Sequence, residues 1–235
     1  MQNQFFTLPF TFSATALLDD LDACRQYDWQ QHFNQQDYSG RWTSLALRSA
    51  SGQVDDITAH PDTKTFTDTP LLGQCPYFRQ IMERIACPKE TVRLLSLAPG
   101  SVIREHTDPH TSYRSGFFRL HIPIQTAEDV RFRVDGCDVP MRVGECWYAN
   151  FERPHSVENH GSVDRIHLVL DCLRNAWSDT IFENAGYNFT AEQQAFELPH
   201  ATKRQMIAEL ERIDSDTARQ LITTLQHKLN PPFPA

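Results

Sequence analysis

The sequence predicts a mainly β protein, a sandwich or jelly roll with flanking helices and a C-terminal helical appendage. Three observations carry this. Seven short β-rich runs follow one another between Thr91 and Cys172, separated by turn residues such as Pro-Gly, Asp-Gly and Gly-Glu. After Cys172 the strands stop and helical periodicity takes over. The apolar share is 40% of 235 residues and includes 15 Phe, enough to fill a substantial core.

Ser13 ahead of 14-ATALLDDLDACRQY-27 predicts a capped helix with Leu17, Leu18, Leu21 and Cys24 on one face. The alternation in 42-WTSLALRS-49 predicts a strand, and the Gly-, Asp-, Thr- and Pro-rich residues 51–75 an irregular excursion. Pro76 opens 76-PYFRQIMERIAC-87 as a first helical turn, with Tyr77, Phe78, Ile81, Met82 and Ile85 as the buried stripe. The seven strands are 91–98, 101–106, 117–124, 130–135, 138–143, 145–150 and 163–172. Residues 203–213 and 215–229 are helical by period and charge pattern. Asp214 or Ser215 caps the second, and PPFPA is a frayed tail. The expected division is a β domain over 1–172 and a helical appendage over 173–235.

A net charge of −8 argues against a nucleic-acid surface, which needs a basic stripe. The N-terminus MQNQFFTLPF lacks the basic start and apolar run of a signal peptide, and no segment approaches roughly 18 consecutive apolar residues. Cys24, Cys75, Cys87, Cys137, Cys146 and Cys172 form no C-x-x-C pair. Reduced thiols in a cytoplasm, no membrane and no nucleic acid are the expectations.

The chemistry concentrates in 103-IREHTDPHTSY-113. On a strand, His106 and Asp108 fall on one face because side chains alternate. A mononuclear iron face needs a second histidine, and His155 follows 49 residues later, after Pro154. Taken singly, each of these also reads as a polar turn. Two strands carry Arg-x-His on one face and apolar residues on the other: Arg119 and His121, then Arg165 and His167. A plain antiparallel sheet with a solvated polar face would look the same. Pointed inward, each arginine needs an anion, and a carboxylate meets its fork well. His110 reads as a turn residue, His160 as solvated, and His167 as a group orienting a ligand. Trp147, Tyr148, Phe117 and Phe118 read as core; Asp171 reads as a strand end without chemistry.

Together the segments P-G-x5-H-x-D (Pro99 to Asp108), R-L-H-I (Arg119 to Ile122), G-E-x-W (Gly144 to Trp147), P-H-S (Pro154 to Ser156) and R-I-H-L-V-L-D (Arg165 to Asp171) resemble the aspartyl/asparaginyl β-hydroxylase family. The likeness spans about residues 38–172, including the ten-residue step from His155 to Arg165, and centres on proline cis-4-hydroxylase-like members. It implies a double-stranded β-helix (cupin-like jelly roll) using Fe(II), 2-oxoglutarate and O2. By matched position it makes His106, Asp108 and His155 the iron ligands and Arg165 the clamp on the distal carboxylate of 2-oxoglutarate. It makes His121 and Arg93 further cosubstrate contacts, and sends Arg119 to the cosubstrate or to a substrate carboxylate. No catalytic side chain is implied beyond the metal centre. The expected reaction is hydroxylation of a free amino acid or a small derivative. The appendage leaves room for a homodimer.

Two other readings stay open. Gly100 to Asp108 and Pro154 to Asn159 also resemble cupin metal motifs, so a cupin-type metalloenzyme without 2-oxoglutarate fits; Arg165 would have no required role in it. A non-enzymatic sensor of metal and carboxylate, docking partners through 173–235, fits as well.

Overall fold

The computed structural model describes residues 3–58, 63–196, 200–213 and 215–229. Its elements run β1 (Phe5–Thr11), α1 (Ala14–Cys24), β2 (Gln30–Gln31), β3 (Tyr38–Ser39), β4 (Trp42–Ser49), β5 (Thr67–Asp68), α2 (Pro76–Arg84), β6 (Lys89–Leu97) and β7 (Val102–His106). There follow β8 (Phe117–Gln125), β9 (Val130–Val134), β10 (Cys137–Asp138), β11 (Glu145–Ala149), β12 (His155–Asn159) and β13 (Arg165–Leu173). The helices α3 (Ala176–Asn184), α4 (Phe189–Phe196), α5 (His200–Leu210) and α6 (Asp216–Leu229) complete the chain.

Two antiparallel sheets face each other. The larger has the order β1-β11-β8-β13-β6-β4-β2, with β5 paired to β4; the smaller is β10-β9-β12-β7-β3. Strict alternation puts Arg93, Leu95 and Leu97 of β6, Arg119 and His121 of β8, and Arg165, His167, Val169 and Asp171 of β13 on one face of the large sheet. Leu95, Leu97 and Val169 pack there with Ile103, Phe132 and Val157 of the small sheet. The opposite face of the large sheet is apolar, and Phe118 on it meets Phe182 of α3 edge-on at 5.1 Å between ring centroids. The arrangement is a double-stranded β-helix with flanking helices, and the polar residues of both Arg-x-His strands point into it.

Ser13 caps α1 as expected, its Oγ accepting from the Ala16 amide at 3.3 Å. The face of α1 differs from the expectation: Asp20 is buried and Leu18 exposed. Asp20 is buried because its Oδ2 accepts from the Phe78 amide at 2.7 Å, satisfying the first turn of α2, whose Pro76 start leaves no other cap. Residues 138–143 do not form a strand. Pro140 has no amide to donate, and only Cys137–Asp138 pair with β9. β1, unexpected from the sequence, closes the edge of the large sheet against β11.

The first compact unit ends at Asn188, and the second starts at Phe189. The boundary expected at 172 falls inside the first unit because α3 is built into it. Phe182 is buried and stacks on Tyr113 at 3.6 Å, and the Tyr113 hydroxyl donates to Asp179 at 2.7 Å. In the second unit, Ser215 Oγ accepts from the Ala218 amide at 3.1 Å and caps α6. Asp214 and the PPFPA tail lie outside the described residues. No helix of the described residues is long and apolar enough to cross a membrane. All six cysteines are free thiols.

Gly144 explains part of the G-E-x-W segment. Its φ of +81° is a left-handed conformation, and its carbonyl accepts from the Phe12 amide at 2.8 Å where β1 meets β11. A Cβ there would lie 2.4 Å from the Phe12 carbonyl oxygen. Gly144→Ala should therefore lower stability by at least about 1–3 kcal/mol, the usual scale of such strain, seen as an earlier midpoint in urea unfolding.

Candidate metal centre and anion chamber

The register of the small sheet sets His155, the first residue of β12, directly opposite His106, the last residue of β7. Asp108 lies two residues past the strand, where its amide donates to the Phe151 carbonyl at 2.8 Å and turns the loop back. Ligand atoms of His106, Asp108 and His155 thus lie within 4.8 Å of one another, and the described residues hold no other such cluster.

Both histidines are fixed in the same way. His106 Nδ1 lies 2.8 Å from the Arg104 carbonyl and His155 Nδ1 lies 3.0 Å from the Arg153 carbonyl. A carbonyl only accepts, so each Nδ1 carries the proton and each Nε2 presents a lone pair. Burial, the largest cause, brings the His155 pKa down to about 4, against the raising effect of that carbonyl, so the imidazole is neutral at physiological pH. Two imidazole nitrogens and one carboxylate suit a divalent ion such as iron(II) and leave an octahedral ion three further positions.

Asp108 is itself held. Its Oδ2 accepts from Arg119 Nη1 at 2.8 Å. Arg119 Nε donates in turn to Asp171 Oδ1 at 2.7 Å, and Arg93 Nη2 and the Thr91 hydroxyl reach Asp171 Oδ2 at 2.7 and 2.6 Å. Burial alone would raise the Asp171 pKa. Arg119 and Arg93 more than offset it and hold the carboxyl well below its ordinary range. Asp171 was read as a strand end. The signal it needed was one more step of the alternation that places Arg165 and His167 on the inner face.

Two spaces meet this centre. A mouth of about 550 Å³ opens over His106 and Asp108, with Arg93, Arg119, Asp171 and Glu90 on its walls. His110 sits on it in a left-handed turn with φ +61°, exposed, and Phe117 lines it rather than the core. Further in lies a chamber of about 40 Å³ that reaches from the three candidate ligands past Arg119 and His121 to Arg165. The structure therefore brings His106, Asp108, His155, Arg119, His121 and Arg165 to one chamber. It sets Arg93 at the mouth, on Asp171, away from that chamber.

Arg165 is 2% exposed, and no carboxylate of the described residues pairs with it. Desolvation by burial lowers its pKa to about 9, which still leaves it charged at neutral pH. Its Nη2 donates to His167 Nδ1 at 3.0 Å, which makes that nitrogen an acceptor. His121 Nδ1, 3.3 Å from the same atom, must then be the donor, leaving His121 Nε2 a buried lone pair without a partner. Burial holds both imidazoles neutral. Arg165 Nε and Trp42 Nε1 are also buried without partners on this chamber's walls. A buried guanidinium lacking an acid, with orphaned donors beside it, fits an anionic guest. His32 was not anticipated. It is stacked on Trp42 at 3.5 Å on the mouth wall, and nothing in its sequence surroundings marks it.

These observations generate one test of the ion cluster. Asp171→Asn leaves two buried guanidiniums short of charge and should cost about 3–5 kcal/mol at pH 7. A depressed carboxyl contributes stability above its unfolded pKa near 4 and loses it as pH falls further. Urea midpoints of the variant should therefore vary less than wild type between pH 4 and pH 2.

The chain matches the aspartyl/asparaginyl beta-hydroxylase family over residues 12–175. One relative, the L-proline cis-4-hydroxylase of Rhizobium meliloti (strain 1021), is 24% identical over 177 residues, covering 74% of this chain. The match spans 62% of that curated relative's length. Among solved structures, HygX from Streptomyces hygroscopicus, with nickel and 2-oxoglutarate bound, aligns with a TM-score of 0.50 at 9% identity. It covers 74% of this chain and 84% of that one, a likeness of fold.

Proposed function

The chain belongs to the aspartyl/asparaginyl β-hydroxylase family, and from that premise we propose that it is an iron(II)- and 2-oxoglutarate-dependent hydroxylase of a free amino acid or small amino-acid derivative. The observation that carries the reading is one chamber with a two-histidine, one-carboxylate face at one end and an unpaired buried guanidinium at the other. A 2-oxo dicarboxylate has the matching ends: a chelating 2-oxo acid for the metal and a distal carboxylate for Arg165.

The residues divide the work. His106 and His155 would hold iron(II) through their Nε2 atoms and Asp108 through one carboxylate oxygen. Such an ion, when bound, would supply the oxidative chemistry by which 2-oxoglutarate is decarboxylated and a C–H bond hydroxylated. Arg165 binds the distal carboxylate while keeping its bond to His167. His121 lines the chamber between the metal face and Arg165 and is fixed there by its Nδ1–H bond to His167. Arg119 keeps Asp108 turned toward the metal and stands between chamber and mouth. Phe132 and Phe151 keep the chamber walls dry. The mouth supports an amino-acid substrate because it carries both signs, with Arg93 and Arg119 for a carboxylate and the half-buried Glu90 for an ammonium group. Phe33, Phe66 and Phe117 offer apolar surface for its side chain.

The test is an anaerobic titration with iron(II) and then 2-oxoglutarate, following the weak visible charge-transfer band of a chelated 2-oxo acid. Wild type should form the band and His155→Ala should not. Arg165→Ala should raise the 2-oxoglutarate Kd by at least about thirtyfold, the value of a lost charged hydrogen-bonded pair. Iron binding with no band at saturating 2-oxoglutarate would move the cupin-type reading ahead, since it gives Arg165 no role.

A further inference from the structure

The barrel interior does not end at Arg165. Beyond it lies a second cavity of about 520 Å³, nearly as large as the mouth and within the usual range of about 300–1,000 Å³ for small-molecule sites. Arg165 and Phe132 line both this cavity and the chamber, so one layer of side chains separates the two. The remaining walls are mixed: Val130, Val139, Met141 and Val143 form an apolar side, and Thr126, Glu128 and Arg142 a polar one. Arg142 and Glu128, both exposed, are the only charged groups besides Arg165.

Two donors between this cavity and the chamber lack partners. Arg165 Nε is buried, makes no hydrogen bond and belongs to a side chain that lines both spaces. His167 Nδ1 accepts from Arg165, so the proton of this neutral ring sits on Nε2, which no hydrogen bond of the described residues uses. A distal carboxylate in the chamber would occupy at most two of the five guanidinium N–H groups, and His167 takes another. The cation therefore keeps donors to spare, and one apolar side, formed by Val130, Val139 and Met141, leads down to them.

We propose that this far cavity is a second ligand site, for a small monocarboxylate with a branched aliphatic or aromatic body, and that its occupant binds antagonistically with the cosubstrate through Arg165. The carboxylate meets Arg165 and the His167 Nε2–H; the apolar body lies against Val130, Val139 and Met141. Two carboxylates on one guanidinium repel and compete for its donors, so each weakens the other without sharing its space. Linkage makes the effect reciprocal. The coupling half of the proposal rests on the cosubstrate reading given above; the site itself does not.

The experiment uses benzoate as the probe and the full-length protein. Calorimetry on metal-free protein should show saturable benzoate binding, lost in Val143→Trp, which fills the cavity from its half-exposed rim. Ala127→Phe, a second rim substitution, guards against one misfolded variant, and unchanged thermal midpoints check both. With iron(II) present, benzoate should raise the apparent 2-oxoglutarate Kd by about fivefold or more and then level off, as coupling between separate sites requires. A rise that never levels off and survives Val143→Trp would put benzoate in the chamber itself and overturn the proposal, as would no benzoate binding. If the charge-transfer band never forms, the cosubstrate reading fails, while calorimetry still decides whether the far site exists.

Discussion

The carboxylate of Asp171 is the constraint around which this interior is organised. It is 4% exposed and lies between two guanidiniums, Arg93 of β6 and Arg119 of β8, with the Thr91 hydroxyl on one oxygen. Burying these charges carries a large desolvation cost, and only close, hydrogen-bonded opposite charges offset it. Arg119 then passes the constraint on to Asp108. His106 and His155 belong to the small sheet, whereas the acid ligand is anchored from the large one. The candidate metal face is therefore held from both sheets, and an ionic chain between them fixes its third corner.

The two histidines need no such chain. Each bonds the carbonyl two residues before it, Arg104 or Arg153, and the antiparallel register brings their rings to 4.2 Å between centroids. The same local device used twice means that the lone pairs are aimed before any ion arrives. Pre-aimed ligands lose little side-chain entropy on coordination.

Much of this was legible in the residues. Alternation along 117–124 and 163–172 separates an apolar face from a polar one, and both strands obey it. His-x-Asp and the later His155 were legible as types and spacing, but their convergence depends on the β7–β12 register, which no short window contains. Pro140 was a local signal against the strand expected over 138–143, since it has no amide to donate to a neighbouring strand. Asp20 and Leu18 exchanged places because a tertiary cap on α2 overrode the helical stripe. The Asp171 hub needs partners 52 and 78 residues away, a distance that leaves no trace in local pattern.

One strand, β13, carries both ends of the interior. Arg165 stands at its inner end and Asp171 six residues further on, about 20 Å along an extended chain. It is the fourth strand from either end of the large sheet's order, paired on both sides, with β8 on one and β6 on the other. Such a strand acts as a ruler whose graduations come in steps of two residues. Losing a single residue between 165 and 171 would turn one set of marks to the wrong face of the sheet. Losing two would keep the faces and bring the guanidinium nearly 7 Å closer to the mouth, about two rises of an extended strand. The spacing between the two ends of the interior is thus written in strand arithmetic.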